Sequence, residues 1–345
     1  MIEREPTISV TEFLFLPLND IERTIMRVFV TGASGFIGSA VVKELLTAGH
    51  EVTGLVRSGE AAASLEAKGV QAYRGTFEDT SILRRAAADA DGVVHTAFYH
   101  ALSQASLDIR LRILFGGSPA KIVNRFINEA VDAECRAIQA FGGVLSSKKG
   151  SLVIAFPTMA LKPGRVAEEG DAADPASVGG ARAKSERALL EWVKAGVNAS
   201  IVRLPPSVHD ENKQGLVTQL IEIARKKRVS VYVSDGENRW PAVHKLDAAR
   251  MFRFALEAGK PGTRYHAVAE EGIPFREIAE ALGRGLNIPV MSVPTQQAAR
   301  YFGWLAPFVT ADNPVSSGIT QEDMQWEPEH PCLMLDLATK MQLSG

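Results

Sequence analysis

The chain reads as an α/β fold, a doubly wound parallel sheet carrying a smaller C-terminal lobe. Three observations predict it. From Met26 to Leu204, short β-branched runs alternate with amphipathic helical stretches, the pattern of consecutive βαβ units. A glycine-rich turn, Gly32-x-x-Gly35-x-x-Gly38, joins the first strand to the first helix. Beyond residue 205 the alternation loosens and Pro and Gly become more frequent, as expected of a lobe built onto a regular sheet. The chain therefore divides into an extension over 1–25, a sheet domain over 26–204, and a lobe over 205–345 with some segments returning to the sheet.

The elements follow in order. Arg27–Thr31 is a short β-branched strand, and Ser39–Ala48 places Val41, Val42, Leu45 and Leu46 at helical spacing before stopping at Gly49. Glu51–Val56 and Val70–Tyr73 are the second and third strands, with helices over Ala61–Ala67 and Ser81–Ala88. Gly92–Ala97 is the fourth strand. A mostly helical stretch covers 100–147, broken at Gly116-Gly117-Ser118-Pro119. Ser151–Phe156 is the fifth strand, Ala183–Lys194 an amphipathic helix, and Ala199–Leu204 the sixth strand. In such a sheet the ligand lies at the carboxyl ends of the strands.

Composition narrows the function. With 345 residues, at roughly 100–200 residues per domain, the chain can bury a sizeable core. Its 38 basic and 40 acidic residues give a net charge of −2, which argues against nucleic-acid binding. Cys135 and Cys332 are the only cysteines, so neither a disulfide framework nor a Cys-rich zinc site is expected, and no His, Cys or carboxylate spacing has the form of a metal site. Apolar runs fall short of the ~20 residues of a membrane span. In residues 1–25 the apolar patch Phe13–Leu16 follows Glu3, Glu5 and Glu12, where a secretory signal would carry basic residues. A poorly ordered extension is the plain expectation there, with an arm packing Phe13–Leu16 on the body as the alternative. These features suit a soluble, cytoplasmic protein. The basic run Arg225–Arg228 closes an amphipathic helix, where cations complement the dipole.

The glycine turn is a dinucleotide site in the right context, because it follows a strand and opens a helix. Gly32 permits the tight turn, Gly35 the approach of a pyrophosphate, and Gly38 close packing of helix on strand. Ser34, Phe36 and Ile37 complete the loop, and Thr96 and Ala97 end the neighbouring fourth strand. An NAD site would place an acid at the end of the second strand. This chain has Arg57 followed by Ser58, which suits the 2′-phosphate of NADP; NAD is less favoured. The domain is of the Rossmann type.

The motifs TGASGFIG (31–38), VVHTAF (93–98), VRLPPSVH (202–209) and VHKLDAA (243–249), with the Ser316–Pro328 tail, resemble the short-chain dehydrogenase/reductase superfamily. The likeness is to its extended and atypical branches, which include nucleotide-sugar epimerases, and it covers most of the chain from Met26. That resemblance implies a Tyr and a Lys four residues apart, the tyrosine exchanging a proton and the lysine holding the nicotinamide ribose. The best register reads Gly180-Ala181-Arg182-Ala183-Lys184, so Lys184 matches and Gly180 replaces the tyrosine. Thr158 stands where the family carries a Ser or Thr to orient a substrate carbonyl. Thr76 occupies a position where the family often has an acid beside the adenine.

Of five tyrosines, Tyr99 alone follows directly from a central strand, and it or His100 could supply the missing acid; both also read as lid or packing residues. His209 and Tyr99 are candidate substrate contacts. Arg239 could clamp an anion and Trp240 provide an apolar wall, although a surface arginine and a core tryptophan fit equally. His244 and Asp247 read as braces. Three functions follow: an NADP-dependent oxidoreductase of a small organic carbonyl or alcohol, a nucleotide-sugar epimerase or dehydratase, and a non-catalytic NADP-binding sensor. The resemblance also suggests a homodimer built on sheet-flanking helices, which the 100–130 stretch would disturb.

Overall fold

The computed structural model describes residues 25–99, 102–117 and 122–343. The expected arm Phe13–Leu16 and the candidate His100 lie outside them. The first half supplies strands β1 (Arg27–Thr31), β2 (Glu51–Val56), β3 (Gln71–Arg74), β4 (Gly92–His95), β5 (Ser151–Pro157) and β6 (Asn198–Leu204). The second half adds β7 (Ser207–His209), β8 (Ser230–Val233), β9 (Arg239–His244), β10 (Arg264–His266), β11 (Glu270–Pro274) and β12 (Val290–Val293). A seven-stranded parallel sheet runs in the order β3-β2-β1-β4-β5-β6-β10. Strand order reverses between β1 and β4, which opens a crevice at their carboxyl ends.

Crossover helices cover both faces of the sheet. They are α1 (Phe36–Thr47), α2 (Gly59–Glu66), α3 (Thr80–Asp89), α4 (Leu107–Phe115), α5 (Ile122–Leu145) and α6 (Ala183–Lys194). The lobe contributes α7 (Val217–Lys227), α8 (Lys245–Ala258) and α9 (Phe275–Leu286). The short α10 (Ala298–Phe302), α11 (Ala306–Val309) and α12 (Gly318–Met324) precede α13 (Leu333–Leu343). Helix α1 begins three residues before the sequence spacing suggests, because Gly35 takes the extended N-cap conformation and releases Phe36 and Ile37 into the first turn. Asp79 caps α3 by accepting from Ser81 N and Ile82 N at 3.1 and 3.2 Å. Helix α4 stops at Gly116, within the expected break.

Both faces of the sheet are apolar, so its strands read as near-continuous hydrophobic runs. Val28 and Val30 pack with Val41, Leu45, Phe252 and Leu256 on one face. Phe29, Val93 and Ile154 pack with Leu83, Ile138 and Phe141 on the other. Strand β10 returns from the lobe half of the chain to pair with β6, Tyr265 opposite Val202. Buried charges lock this edge: Glu186 accepts from Arg203 at 3.0 Å and from Arg264 at 2.6 Å, and Arg203 reaches His266 at 3.2 Å. The lobe has its own core around Trp240, Phe275 and Phe302, and a three-stranded sheet ordered β11-β9-β7. Among the described residues no helix is long and apolar enough to cross a membrane.

Candidate active site

At the end of β1 the chain turns at Gly32 with φ +71°, a conformation natural to glycine. A Cβ there would stand 2.9 Å from Thr96 Oγ1 and 3.1 Å from Ala97 N. At Gly38 a Cβ would stand 2.0 Å from the Gly32 carbonyl oxygen, so only hydrogen lets α1 pack against its own turn. Helix α1 has no side-chain cap and no acidic residue in its first turn. Its leading N–H groups therefore face the crevice without intrahelical partners, a seat for a diphosphate. Ser34 and Gly35 are exposed, and Phe36 and Ile37 half-buried. Thr96 acts as a brace, its hydroxyl donating to Thr31 O at 2.8 Å. Beneath it, Thr31 Oγ1 lies 2.6 Å from His95 Nδ1. Burial, with the nearby Arg182 cation, holds the His95 pKa down to about 3.

Arg57 and Ser58 follow β2 and are exposed. Ser58 caps α2, accepting from Ala61 N at 3.1 Å, which leaves its own proton to donate. Arg74, at the end of β3, was not singled out in the sequence. Its Cζ lies 3.9 Å from where a Cβ would sit on Gly59, so the guanidinium lies over the first turn of α2. Neither Arg57 nor Arg74 has an ion-pair partner among the described residues. Glu60 stands in the first turn of α2, yet it neutralises neither arginine through an ion pair.

The fold also brings two unforeseen lysines to the glycine turn. Lys245 and Lys213 place Nζ 5.0 and 5.4 Å from the Phe36 ring centroid. Lys245 is paired with Asp210. Burial raises the Asp210 pKa, but the Lys245 contact and the Lys213 and Asn212 amides outweigh it and hold the carboxyl below its usual range.

On the β5 side the structure encloses several of the expected site residues. Thr158 is fully buried, its hydroxyl donating to Asn313 Oδ1 at 2.8 Å while Asn313 Nδ2 donates to Thr158 O at 3.1 Å. That hydroxyl ties β5 to the lobe. Tyr99 is also buried, with its ring 4.6 Å from Phe77 and its hydroxyl enclosed without a partner; it packs beneath α4 with Ile109 and Ile113. At Gly180 a Cβ would meet the carbonyls of Asp174 and Pro175 at 2.5 Å, so the backbone leaves no room for a side chain.

Lys184 points outward. Its Nζ pairs with Asp132 at 2.5 Å with the side chain 57% exposed, and it lines an open groove with Thr80, Arg84 and Arg136 between α3, α5 and α6. The hydrogen bond it donates to Asp132 raises its pKa. The inward cation is Arg182, two residues earlier and 12% exposed. The family register, which falls on Lys184, carries no signal for it. Burial pushes the Arg182 pKa down and that of its partner Glu134 up.

In the lobe, His209 is fully buried, its Nδ1 2.7 Å from Asp336 Oδ2, and it meets no open crevice. Trp240 is a core residue, donating Nε1–H to Phe308 O at 3.2 Å. Arg239 is held by both oxygens of Asp312 at 3.0 and 2.8 Å, which occupies the fork an anionic substrate would need. His244, Asp247 and His330 come together, with ligand atoms within 4.8 Å of one another, a juxtaposition invisible in the sequence. The His244 and His330 rings are stacked 7° from parallel, and Asp247 already holds His330 Nδ1 at 2.8 Å. Asp247 also accepts from the Glu329 and His330 amides, both at 3.1 Å, and so braces the C-terminal segment. Parallel ring planes do not converge on one ion.

Residues 28–140 match the NAD dependent epimerase/dehydratase family. The chain is 44% identical over 315 residues to an uncharacterized protein of Schizosaccharomyces pombe, covering 91% of this chain and 99% of the relative. It is 26% identical over 287 residues to a 4-hydroxy-2-methyl-3-oxo-4-farnesyl-3,4-dihydroquinoline-1-oxide ketoreductase of Stigmatella aurantiaca, covering 79% and 78% of the two chains. In fold it is similar to the dTDP-glucose 4,6-dehydratase DesIV of Streptomyces venezuelae, with a TM-score of 0.69 and 18% identity over 92% of this chain and 96% of that one. With the parallel sheet, its switch point and the glycine turn, these likenesses establish that the chain belongs to the NAD dependent epimerase/dehydratase family, in the extended branch of the short-chain dehydrogenases/reductases.

Proposed function

We propose that the protein is an NADP(H)-dependent oxidoreductase that reduces a small organic carbonyl or oxidises the matching alcohol. The observation that carries the cofactor choice is the corner beyond β2 and β3. Arg57 and Arg74 stand there without an ion-pair partner among the described residues, beside the Ser58 hydroxyl, and no carboxylate closes off β2. A 2′-phosphate placed there would receive charge-assisted hydrogen bonds, whereas a bare 2′-hydroxyl would lack the carboxylate that an NAD site carries at the end of the second strand. The α1 N-terminus would hold the diphosphate, with Lys213 and Lys245 adding positive charge. Bound there, the nicotinamide supplies or accepts the hydride. The ketoreductase among the relatives supports a carbonyl substrate.

The chain's own groups then have limited tasks. Phe98 and Phe156, both packed on Arg182, would shield the carboxyl edge of β4 and β5 from water. Thr158 would keep the lobe seated through Asn313. The proton would come from His100 or from water, since the Tyr99 hydroxyl is enclosed and Gly180 offers none. That same shortage favours a second reading, a dinucleotide-binding sensor that keeps the cofactor and performs no turnover.

Titration with NADPH and NADH, followed by fluorescence of the reduced nicotinamide, tests the proposal. NADPH should bind more tightly, and Arg57→Ala should weaken it about tenfold or more, the loss of a charged hydrogen bond of ~1.5–3 kcal/mol, with little change for NADH. Equal affinity for the two, or an Arg57→Ala variant that binds NADPH like wild type, overturns the assignment. Tight binding with no NADPH oxidation across a panel of ketones and aldehydes selects the sensor.

A further inference from the structure

We propose that Arg182 is the residue that grips the nicotinamide half of the dinucleotide, offering Nη1 to its ribose hydroxyls while buried Glu134 holds the guanidinium from behind. The inference rests on the dinucleotide reading of the site. Arg182 stands immediately before α6, at the carboxyl edge of β5. Its Nη2 donates to Glu134 Oε1 at 2.5 Å and to Ala155 O at 2.6 Å. Glu134 is itself fixed, its other oxygen accepting from Ser185 Oγ at 2.5 Å, with the carboxylate side chain 1% exposed. The guanidinium Cζ lies over the Phe98 ring, 4.3 Å from its centroid. Three contacts from three elements leave the group little freedom.

What remains is one polar edge. Among the described residues Nε is enclosed and has no partner, whereas Nη1 makes no hydrogen bond and is not enclosed. A planar cation clamped on one side and open on the other is suited to a fixed pair of oxygens. Its position says which oxygens. The adenosine half would extend from the glycine turn toward Arg57, Ser58 and Arg74, over β2 and β3. A dinucleotide crossing the switch point must then carry its other nucleoside over β4 and β5, where Phe98 and Arg182 meet. Lys184 is excluded by helical geometry. Two residues on, at about 100° per residue, it faces the opposite side, and Asp132 holds it there.

The ligands that separate the two halves are NADPH and 2′,5′-ADP, which lacks the nicotinamide nucleoside. In the double variant Arg182→Met/Glu134→Gln both charges are removed together, so no buried carboxylate is stranded. Calorimetric titration should show NADPH weakened about tenfold or more and 2′,5′-ADP bound as by wild type. Arg182→Lys preserves the charge against Glu134 but gives up the fork, and should lose NADPH affinity selectively to a smaller degree. It also serves if the double variant fails to fold. Unchanged NADPH affinity in a folded variant overturns the proposal, as does an equal loss for both ligands, which marks the pair as a brace only. Wild-type protein that binds neither ligand overturns the dinucleotide reading itself, and this inference with it.

Discussion

Replacing Gly38 by alanine is the sharpest test of how the glycine turn works. The new methyl carbon would lie 2.0 Å from the Gly32 carbonyl oxygen, 2.7 Å from its carbon and 3.0 Å from Thr96 Oγ1. Two of these three atoms are backbone, so no side-chain rotation relieves the clash. Helix α1 must draw back from β1 by about 1 Å or more, an overpacking cost of ~1–3 kcal/mol, and the closeness of the carbonyl puts it toward the upper end. At about 2.1 cal/mol/K of unfolding entropy per residue, a chain of 345 residues loses about 1.4 °C per kcal/mol, so the melting temperature should fall by about 3–4 °C. The same shift carries the α1 N–H groups away from the diphosphate, so NADPH affinity should fall about tenfold or more. Gly49→Ala supplies the comparison. It has φ +91° with nothing within 4 Å, so it should lose some stability through left-handed strain, ~1–2 kcal/mol, and keep NADPH binding intact. Scanning calorimetry and fluorescence titration on both variants read the two effects separately. A Gly38→Ala protein that melts and binds like wild type would falsify the account of the turn.

Acid lability should trace in part to two buried histidines. His95 and His266 are both held down to about 3, by burial first and then by a neighbouring arginine. Since their unfolded value is near 6.5, this stability is whole above that pH and is lost as pH falls toward 3. Each should cost about 2 kcal/mol between pH 8 and pH 5. Urea unfolding of His266→Asn at both pH values should show a smaller pH-dependent loss than wild type; an identical loss refutes the assignment. Thr158→Val strands Asn313 Oδ1 and should destabilise by ~1–3 kcal/mol with NADPH affinity unchanged. A folded Thr158→Val protein of normal stability that had lost NADPH binding would instead return Thr158 to the active site.

The parallel sheet was readable because its signals are local. β-Branched runs, helical spacing and the glycine triplet each act over a few residues, and the strands β1 to β6 fall within a residue or two of their expected places. The cap of α1 shifted because glycine at position 35 starts the helix without a side chain that marks it. The candidate catalytic set was far less legible. Thr158, Tyr99, His209 and Trp240 have the right residue types for a site, yet each is enclosed by groups outside its own element: Asn313, Phe77 with the α4 packing, Asp336 and the lobe core. Burial by remote segments leaves no mark on local sequence.

By itself the sequence determined the α/β class, the order of the sheet-forming elements, the dinucleotide turn and the cation after β2, since these depend on spacing within single βαβ units. Only the tertiary structure decided which side chains face the crevice. It turned Arg182 inward on Glu134 and Lys184 outward on Asp132, and it set Arg74 beside the start of α2 and Lys213 and Lys245 beside the glycine turn. The physical reason is that a residue's chemistry is carried by its own atoms, but its exposure, charge partners and free hydrogen-bonding edge are set by groups that folding brings from elsewhere in the chain.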